Sequence, residues 1–344
     1  MTHLSRLTHA VLFSLGLSFL NACTTSDGPY PAVAVQKELT PNADALKDVK
    51  SFAFGSCNKQ YLPQPIWKNI IADAPDLFLW TGDVVYADTD DMGKLSQIYA
   101  SQLKSSEYGQ FLQAKIPVIG VWDDHDYGKN SGDESYAPRK TSQALFLDFI
   151  GEKEGSPRRT QDGIQASYSF GQGKAASRFL MLDTHSHRSE KREDLLGPEQ
   201  WTWLEAELKK PTDGVTFIVS SIQVLPFEQK FEKWLNFPAS HKRLLAAIET
   251  SPAKNIVIIS GDRHFAELSK QKIGDKEVWE ITASGMTHSF RGAEADVRNT
   301  NTLRVGPVLD RLNYGLITLD GKSVQIQVKD LNHFAVIDQM ILLR

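Results

Sequence analysis

The sequence predicts an α/β chain built on a parallel or mixed sheet, passing into α+β structure with antiparallel hairpins toward its C-terminal end. Three observations carry that reading. Short apolar runs of strand character alternate with segments of helical period, as β-α-β units require. Beyond about residue 167 hairpin-like pairs take over, with Gly-rich or Asp-Gly turns between them. Residues 50–344 contain no repeat of fixed period, no long linker and no second domain boundary, so they read as one domain.

The first strand, 51–54, ends at Gly55, where the chain can turn tightly. Ile66 and Ile70, with Trp67 and Ile71, give the i, i+4 spacing of a helix burying one stripe, and Leu77-Phe78-Leu79-Trp80 is the next strand. A polar helix around 93–113 leads to a strand at 118–121. The helix expected over 140–150 turns Ala144, Leu145 and Phe149 inward. Residues 167–170 and 178–182 pair as a hairpin across the turn at 171–173. Pro198 and Glu199 open a helix over 198–209 that buries Trp201, Leu204 and Leu208. Strands 215–219 and 255–259 flank a helix near 240–249. From Val278 to Leu343 the chain is mostly β, and Asp320-Gly321 turns a hairpin between 315–319 and 324–328.

The 344 residues are 41% hydrophobic, enough for a substantial core. The N-terminus has its own logic. Arg6 precedes an apolar stretch from Ala10 to Leu20, too short for a permanent span, and Leu20-Asn21-Ala22-Cys23 follows. This resembles a bacterial lipoprotein signal. Residues 1–22 are then the signal peptide, Cys23 the lipidated residue, and 23–49 a tether. The expected location is the cell envelope, anchored by lipid at a periplasmic or outer-membrane face, or otherwise secreted. Residues 1–22 hold one formal charge, Arg6, so their removal takes the net charge from -4 to -5. That balance offers no electrostatic footprint for nucleic acid.

Four strand-like runs end in chemistry-bearing residues: Phe54-Gly55-Ser56-Cys57, Thr81-Gly82-Asp83-Val84-Val85-Tyr86, Trp122-Asp123-Asp124-His125-Asp126 and Ser260-Gly261-Asp262-Arg263-His264. Cys, Asp, Tyr and His bind cations as anions or neutral imidazole, and strand ends of one sheet converge, so the expectation is a metal centre. Cysteine usage agrees. With Cys23 lipidated or removed, Cys57 has no disulfide partner within the chain.

The order of these motifs, with Gly82-Asp83-Val84-Val85-Tyr86-Ala87-Asp88, Trp122 through Asn130, and Ser220-Ser221-Ile222-Gln223, resembles the alkaline phosphatase D (PhoD-like) family of calcineurin-like metallophosphatases. The resemblance covers about residues 50–344. It implies a four-layer α/β/β/α sandwich of two mixed sheets, with metals held at strand ends between them. The chain departs from the broad superfamily: Gly55-Ser56-Cys57 stands where many relatives carry Asp-x-His, and Tyr86 follows Asp83 where they carry a second Asp. Asp124-His125 replaces their Asn-His, Gln223 a later His, and Asp262-x-His264 their His-x-His.

A phenolate and a thiolate suit ferric iron, and clustered carboxylate and amide oxygens suit Ca²⁺ or Mn²⁺, so a His-rich dizinc centre is disfavoured. The resemblance implies Fe³⁺ on Cys57, Tyr86, Asp83, Asp262 and His264, and Ca²⁺ on Asp83, Asp124 and neighbouring oxygens such as Gln223. Mn²⁺ or Zn²⁺ are the substitutes. Asp83 is the bridging choice. The expected reaction is hydrolysis of phosphomonoesters, phosphodiesters or both by a metal-bound hydroxide, with His125 as leaving-group acid and Asn130 on a non-bridging oxygen. Arg139, Arg263, His185, His187 and His288 are further candidates for substrate contact, while Asp88 and Asp126 suit turns or caps as well as ligation. The opposing reading is a lipoprotein that binds metal or phosphate without turnover. Acyl-ester hydrolysis lacks a Gly-x-Ser-x-Gly motif.

Overall fold

The computed structural model describes Ala43 and residues 46–344; the signal segment, Cys23 and most of the tether lie outside the described residues. In chain order the elements are β1 (Ser51–Gly55), α1 (Ile66–Asp73), β2 (Leu77–Thr81), α2 (Met92–Leu103), α3 (Ser106–Gln113), β3 (Val118–Val121), α4 (Asp124–Tyr127) and α5 (Arg139–Phe149). There follow β4 (Ala166–Phe170), β5 (Ser177–Met181), α6 (Gly197–Leu208), β6 (Val215–Val219), α7 (Pro238–Thr250), β7 (Asn255–Ser260), β8 (Ala266–Ile273) and β9 (Lys276–Ala283). The last strands are β10 (Arg304–Leu309), β11 (Asn313–Leu319), β12 (Ser323–Asp330) and β13 (Ala335–Leu342).

These strands form two mixed sheets, ordered β13-β12-β11-β1-β2-β3 and β10-β8-β9-β7-β6-β5-β4. In the first, β1, β2 and β3 run parallel and β11 to β13 antiparallel. In the second, β5, β6, β7 and β9 run parallel, with antiparallel strands at the margins. Strand alternation sorts the side chains. Phe52 points to the inner face, where its ring lies 4.9 Å from Phe179 and 5.0 Å from Phe217 across the gap. Phe78 and Trp80 point the opposite way, against Trp67 of α1. Beyond the second sheet, Leu180, Ile218, Ile256 and Ile258 pack with Trp201, Leu204 and Leu208 of α6 and Leu244 and Ile248 of α7. The result is four layers, as expected.

Two departures from the sequence reading have local causes. The helix expected over 93–113 is two helices, because Ser105 takes an extended backbone and its side chain accepts from the Tyr108 amide to cap α3. The strand expected from Val278 begins at Lys276 and is preceded by β8, paired with it in antiparallel register from Ala266↔Ala283 to Ile273↔Lys276. Lysines in the outer half of β8 mask its apolar alternation. No described helix is long and apolar enough to cross a membrane.

Candidate metal centre

Parallel strands in both sheets end on one side of the sandwich, and a common register appears there. The chemistry-bearing residue stands two positions past the last strand residue: Cys57 after Gly55, Asp83 after Thr81, Asp123 after Val121, Asp183 after Met181, Ser221 after Val219 and Asp262 after Ser260. Getting there bends the chain sharply. Cys57, Asp83, Asp262 and His264 have φ of 61°, 51°, 68° and 57°, left-handed conformations that cost about 1–3 kcal/mol each when not glycine. Gly82 and Gly261 make the approach possible. A Cβ on Gly82 would lie 2.6 Å from the Asp123 Cβ, and one on Gly261 2.5 Å from the Thr81 carbonyl oxygen.

Donor atoms of Cys57, Asp83 and His264 lie within 4.8 Å of one another, and so do those of Asp83, Asp124 and His125. Asp83 is common to both groups. The Tyr86 hydroxyl joins the first, donating to Asp83 Oδ2 at 2.9 Å and lying 3.0 Å from His264 Nε2 and 3.3 Å from His288 Nε2. The Cys57 Sγ stands 3.5 Å from the same carboxylate oxygen.

The electrostatics of this cluster call for a cation. Burial and repulsion from Asp123, Asp124, Asp126 and Asp262 push the Asp83 carboxyl well above its usual range. Burial, then Asp124 and Glu232, raises Asp123. Burial, then Asp123, lifts Asp262 to about 8, although its side chain keeps 22% exposure. The Cys57 thiol and Tyr86 phenol are raised by burial first and by Asp83 next. Meanwhile burial, His288 and Lys59 drive His264 down to about 3, and burial, Lys59 and His125 take His288 to about 4. Acids that resist ionising beside neutral imidazoles make a ligand set waiting for positive charge. Three buried carboxylate oxygens, Asp83 Oδ1, Asp123 Oδ2 and Asp262 Oδ2, accept no hydrogen bond. Such orphans are expensive unless a cation meets them, so the residues present fit a metal.

His125 stands at the edge of this cluster. Its ring packs at a tilt of 31° against Tyr86 with centroids 4.1 Å apart, and Nδ1 lies 2.8 and 2.9 Å from the two oxygens of Asp88. Asp88 also accepts from the Asn130 amide at 2.9 Å, which leaves the Asn130 side chain at the exposed rim. Asp124 accepts from the Ser131 amide at 2.6 Å. Asp126, by contrast, is a tie: it accepts from Asp123 N at 2.6 Å and Val84 N at 3.0 Å, joining the loops after β2 and β3.

Other sequence candidates fall elsewhere. Gln223 is fully buried, and its Nε2 donates to Glu267 at 2.7 Å and Thr282 at 3.0 Å, which leaves Oε1, the atom a cation would use, with a 3.5 Å contact from Gln229 Nε2. His185 is fully buried between the Gly132 carbonyl (2.8 Å) and Asp123 Oδ1 (2.7 Å); substrate contact gives way to support of a carboxylate. Arg263 is likewise buried, donating to Asn299 at 2.6 Å and stacking on Phe231, with Asp262 at 3.8 Å. Arg139 and His187 gather around Asp162, at 3.7 and 3.6 Å. His288 does reach the cluster, through Tyr86 and a 4.3 Å ring contact with His264. Sequence reasoning passed over Asp123, whose buried Oδ2 is left without a hydrogen bond, and the two-past-the-strand register is the signal that finds it. The Arg188–Glu232 ion pair, whose charge reaches Asp123, had no local signal at all.

Comparison with known proteins follows the same line. The family model for the PhoD-like phosphatase matches residues 52–328. The chain belongs to that family. Alkaline phosphatase D of Bacillus subtilis (strain 168) is 20% identical over 321 residues, covering 76% of this chain and 55% of the relative, so this PhoD-like chain spans about half the length of that curated protein. The solved structure of PhoD superposes with a TM-score of 0.68 at 17% identity, over 88% of this chain and 70% of the other. Purple acid phosphatase PPD1 from yellow lupin gives 0.58 at 12% identity, over 88% and 55%. GAP50, described as the anchor in the inner membrane complex of Plasmodium, gives 0.60 at 11%, over 87% and 90%. Scaffolds this similar serve differently described proteins, so the site must carry the functional argument.

Proposed function

We propose that this PhoD-like chain is an exported, lipid-anchored, metal-dependent phosphoesterase acting on phosphomonoesters, phosphodiesters or both. The observation that carries the reading is the convergence of two donor groups on Asp83 with a carboxylate-tethered His125 beside them. Cys57, Tyr86, Asp83, Asp262 and His264 would hold the first cation, Fe³⁺ by the phenolate and thiolate character of the set. Asp83, Asp124 and the unpartnered oxygen of Asp123 would hold a harder one, Ca²⁺, with Mn²⁺ or Zn²⁺ as substitutes. Bound there, the cations would neutralise a phosphate ester and make water a nucleophile at neutral pH.

The remaining chemistry belongs to side chains. Asp88 would hold the Nδ1 proton of a His125 ring protonated on both nitrogens and fix its orientation, so that Nε2 gives its own proton to the departing alkoxide and the ring is left neutral. A pure binding protein has no use for such an acid, and this favours turnover over the non-catalytic alternative. Export and anchoring rest on residues 1–23 alone. Cys23→Ser should move the protein to the soluble fraction with its specific activity unchanged.

The test is hydrolysis of a panel of mono- and diesters by the metal-loaded chain and two variants. His125→Ala should keep its metals and lose about 10²- to 10⁴-fold on esters with poor leaving groups, and less on activated aryl esters. Asp83→Ala should lose metal and activity together. Metal-replete protein that binds phosphate and hydrolyses none of the panel would defeat the proposal in favour of the binding lipoprotein.

A further inference from the structure

Lys59 sits two residues past Cys57 on the loop that leaves β1, and that loop is pinned. The Lys59 amide donates to Thr287 Oγ1 at 2.8 Å, and the same hydroxyl donates to the Cys57 carbonyl at 3.1 Å, locking the loops after β1 and β9 together. Asn58 adds two more ties, its amide donating to the Asp83 carbonyl at 2.9 Å and its Nδ2 to the Val84 carbonyl at 3.0 Å. The Lys59 side chain then extends over Tyr86, its ammonium 5.0 Å from the ring centroid, while His125 packs at a tilt against the same ring.

Five carboxylates stand in the cluster, Asp83, Asp123, Asp124, Asp126 and Asp262, yet the ammonium forms no ion pair among the described residues. A half-buried lysine on a pinned backbone, held over a donor tyrosine and left without an anionic partner, is placed for an anion that comes from outside. We propose that Lys59 is the residue that captures the phosphoryl group at the mouth of the site and favours dianionic monoesters over monoanionic diesters. This rests on the phosphoesterase reading for its kinetic consequence, though its binding consequence stands without it. Lysine suits the task as a flexible point charge with three donors, able to follow a phosphate during entry and release. A charge-assisted hydrogen bond at a partly exposed position corresponds to about tenfold in binding.

The experiment uses the metal-loaded full chain and inorganic phosphate as probe, with calorimetric titration of wild type, Lys59→Gln and Lys59→Arg at matched metal content and thermal stability. The inference expects Lys59→Gln to bind phosphate about tenfold more weakly and Lys59→Arg to stay within about threefold of wild type. In ester assays KM should rise with kcat nearly unchanged, and kcat/KM should fall further for a monoester than for a diester sharing its leaving group. Equal phosphate affinity in wild type and Lys59→Gln would overturn the inference, as would equal losses on mono- and diester. Wild type that binds phosphate but hydrolyses nothing would overturn the phosphoesterase reading, and the phosphate titration would still decide Lys59.

Discussion

Replacing Asp88 by Asn removes one negative charge and keeps the shape, and the structure separates its two consequences. Asp88 is 46% exposed and His125 18%, so the pair belongs with solvent-screened ion pairs contributing about 0.2–1 kcal/mol to stability. The Asn130 amide, which donates to Asp88 Oδ1, still finds an oxygen on Asn. For a domain of this size the melting temperature should therefore move by no more than about 2–4 °C. Catalysis is more sensitive. A ring that delivers a proton from Nε2 while Nδ1–H stays on residue 88 carries a proton on both nitrogens, and a neutral Asn amide supplies no negative charge opposite it, so loss of this orienting partner costs about 10–100-fold. The assay is kcat on an alkyl phosphate and an activated aryl phosphate sharing one phosphoryl group, with melting followed in parallel. The alkyl ester should lose most of that factor and the aryl ester little. An unchanged alkyl rate in Asp88→Asn would refute the proton-delivery role, and an equal loss on both esters would make the pair a positioning device for phosphate.

Three further outcomes follow from the cluster and the core. In chelator-treated protein Asp262 and Asp126 protonate near 8 when folded, against about 4 when unfolded, and Asp83 and Asp123 move in the same direction. Folded carboxyls raised in this way contribute stability that is present below about pH 4 and lost as pH rises toward 8. Stripped protein should thus melt higher at pH 6 than at pH 8, and metal should flatten the difference; a stripped protein melting higher at pH 8 would contradict the charge assignment. Tyr86→Phe should make the phenolate charge-transfer colour of the iron-loaded chain fade, and a colourless, fully active zinc enzyme would reject ferric iron. Phe52→Ala, at the fully buried contact between the sheets, should cost about 3–5 kcal/mol in urea unfolding, and a loss below about 1 would deny that the layers interlock there.

Much of the architecture was legible because this chain writes its strands as short apolar runs and its helices as i, i+4 apolar spacing, with a proline at the start of α1, α5, α6 and α7. The β1–α1–β2 order, the β4–β5 hairpin and the Asp320-Gly321 turn all follow from periodicity and turn chemistry. The break at Ser105 was also written there, since Ser105-Ser106-Glu107 is a helix-start pattern inside the stretch read as one polar helix. Site residues were legible where a motif named them, and less so where folding chose among neighbours. Asp123 and Asp124 are adjacent, and periodicity alone does not say which oxygen ends unpartnered. Gln223 was suggested by its position after β6, but the hold of Glu267 and Thr282, from β8 and β9, on its Nε2 had no sequence signal. Asp88 and Lys59 owe their places to loops that close only in three dimensions.

The left-handed backbone at Cys57, Asp83, Asp262 and His264 also limits what could ever be installed there. Asp, Asn and His tolerate that region better than most side chains, whereas β-branched residues scarcely enter it. Swapping donors to retune the metal is therefore filtered twice, by coordination chemistry and by conformation. Asn for Asp83 or Asp262 changes charge while respecting the bend, but Thr at either place meets a steric barrier before any cation arrives. The loops thus act as a selectivity filter on mutation itself, narrowing the metals this scaffold can be retuned to accept by single substitutions.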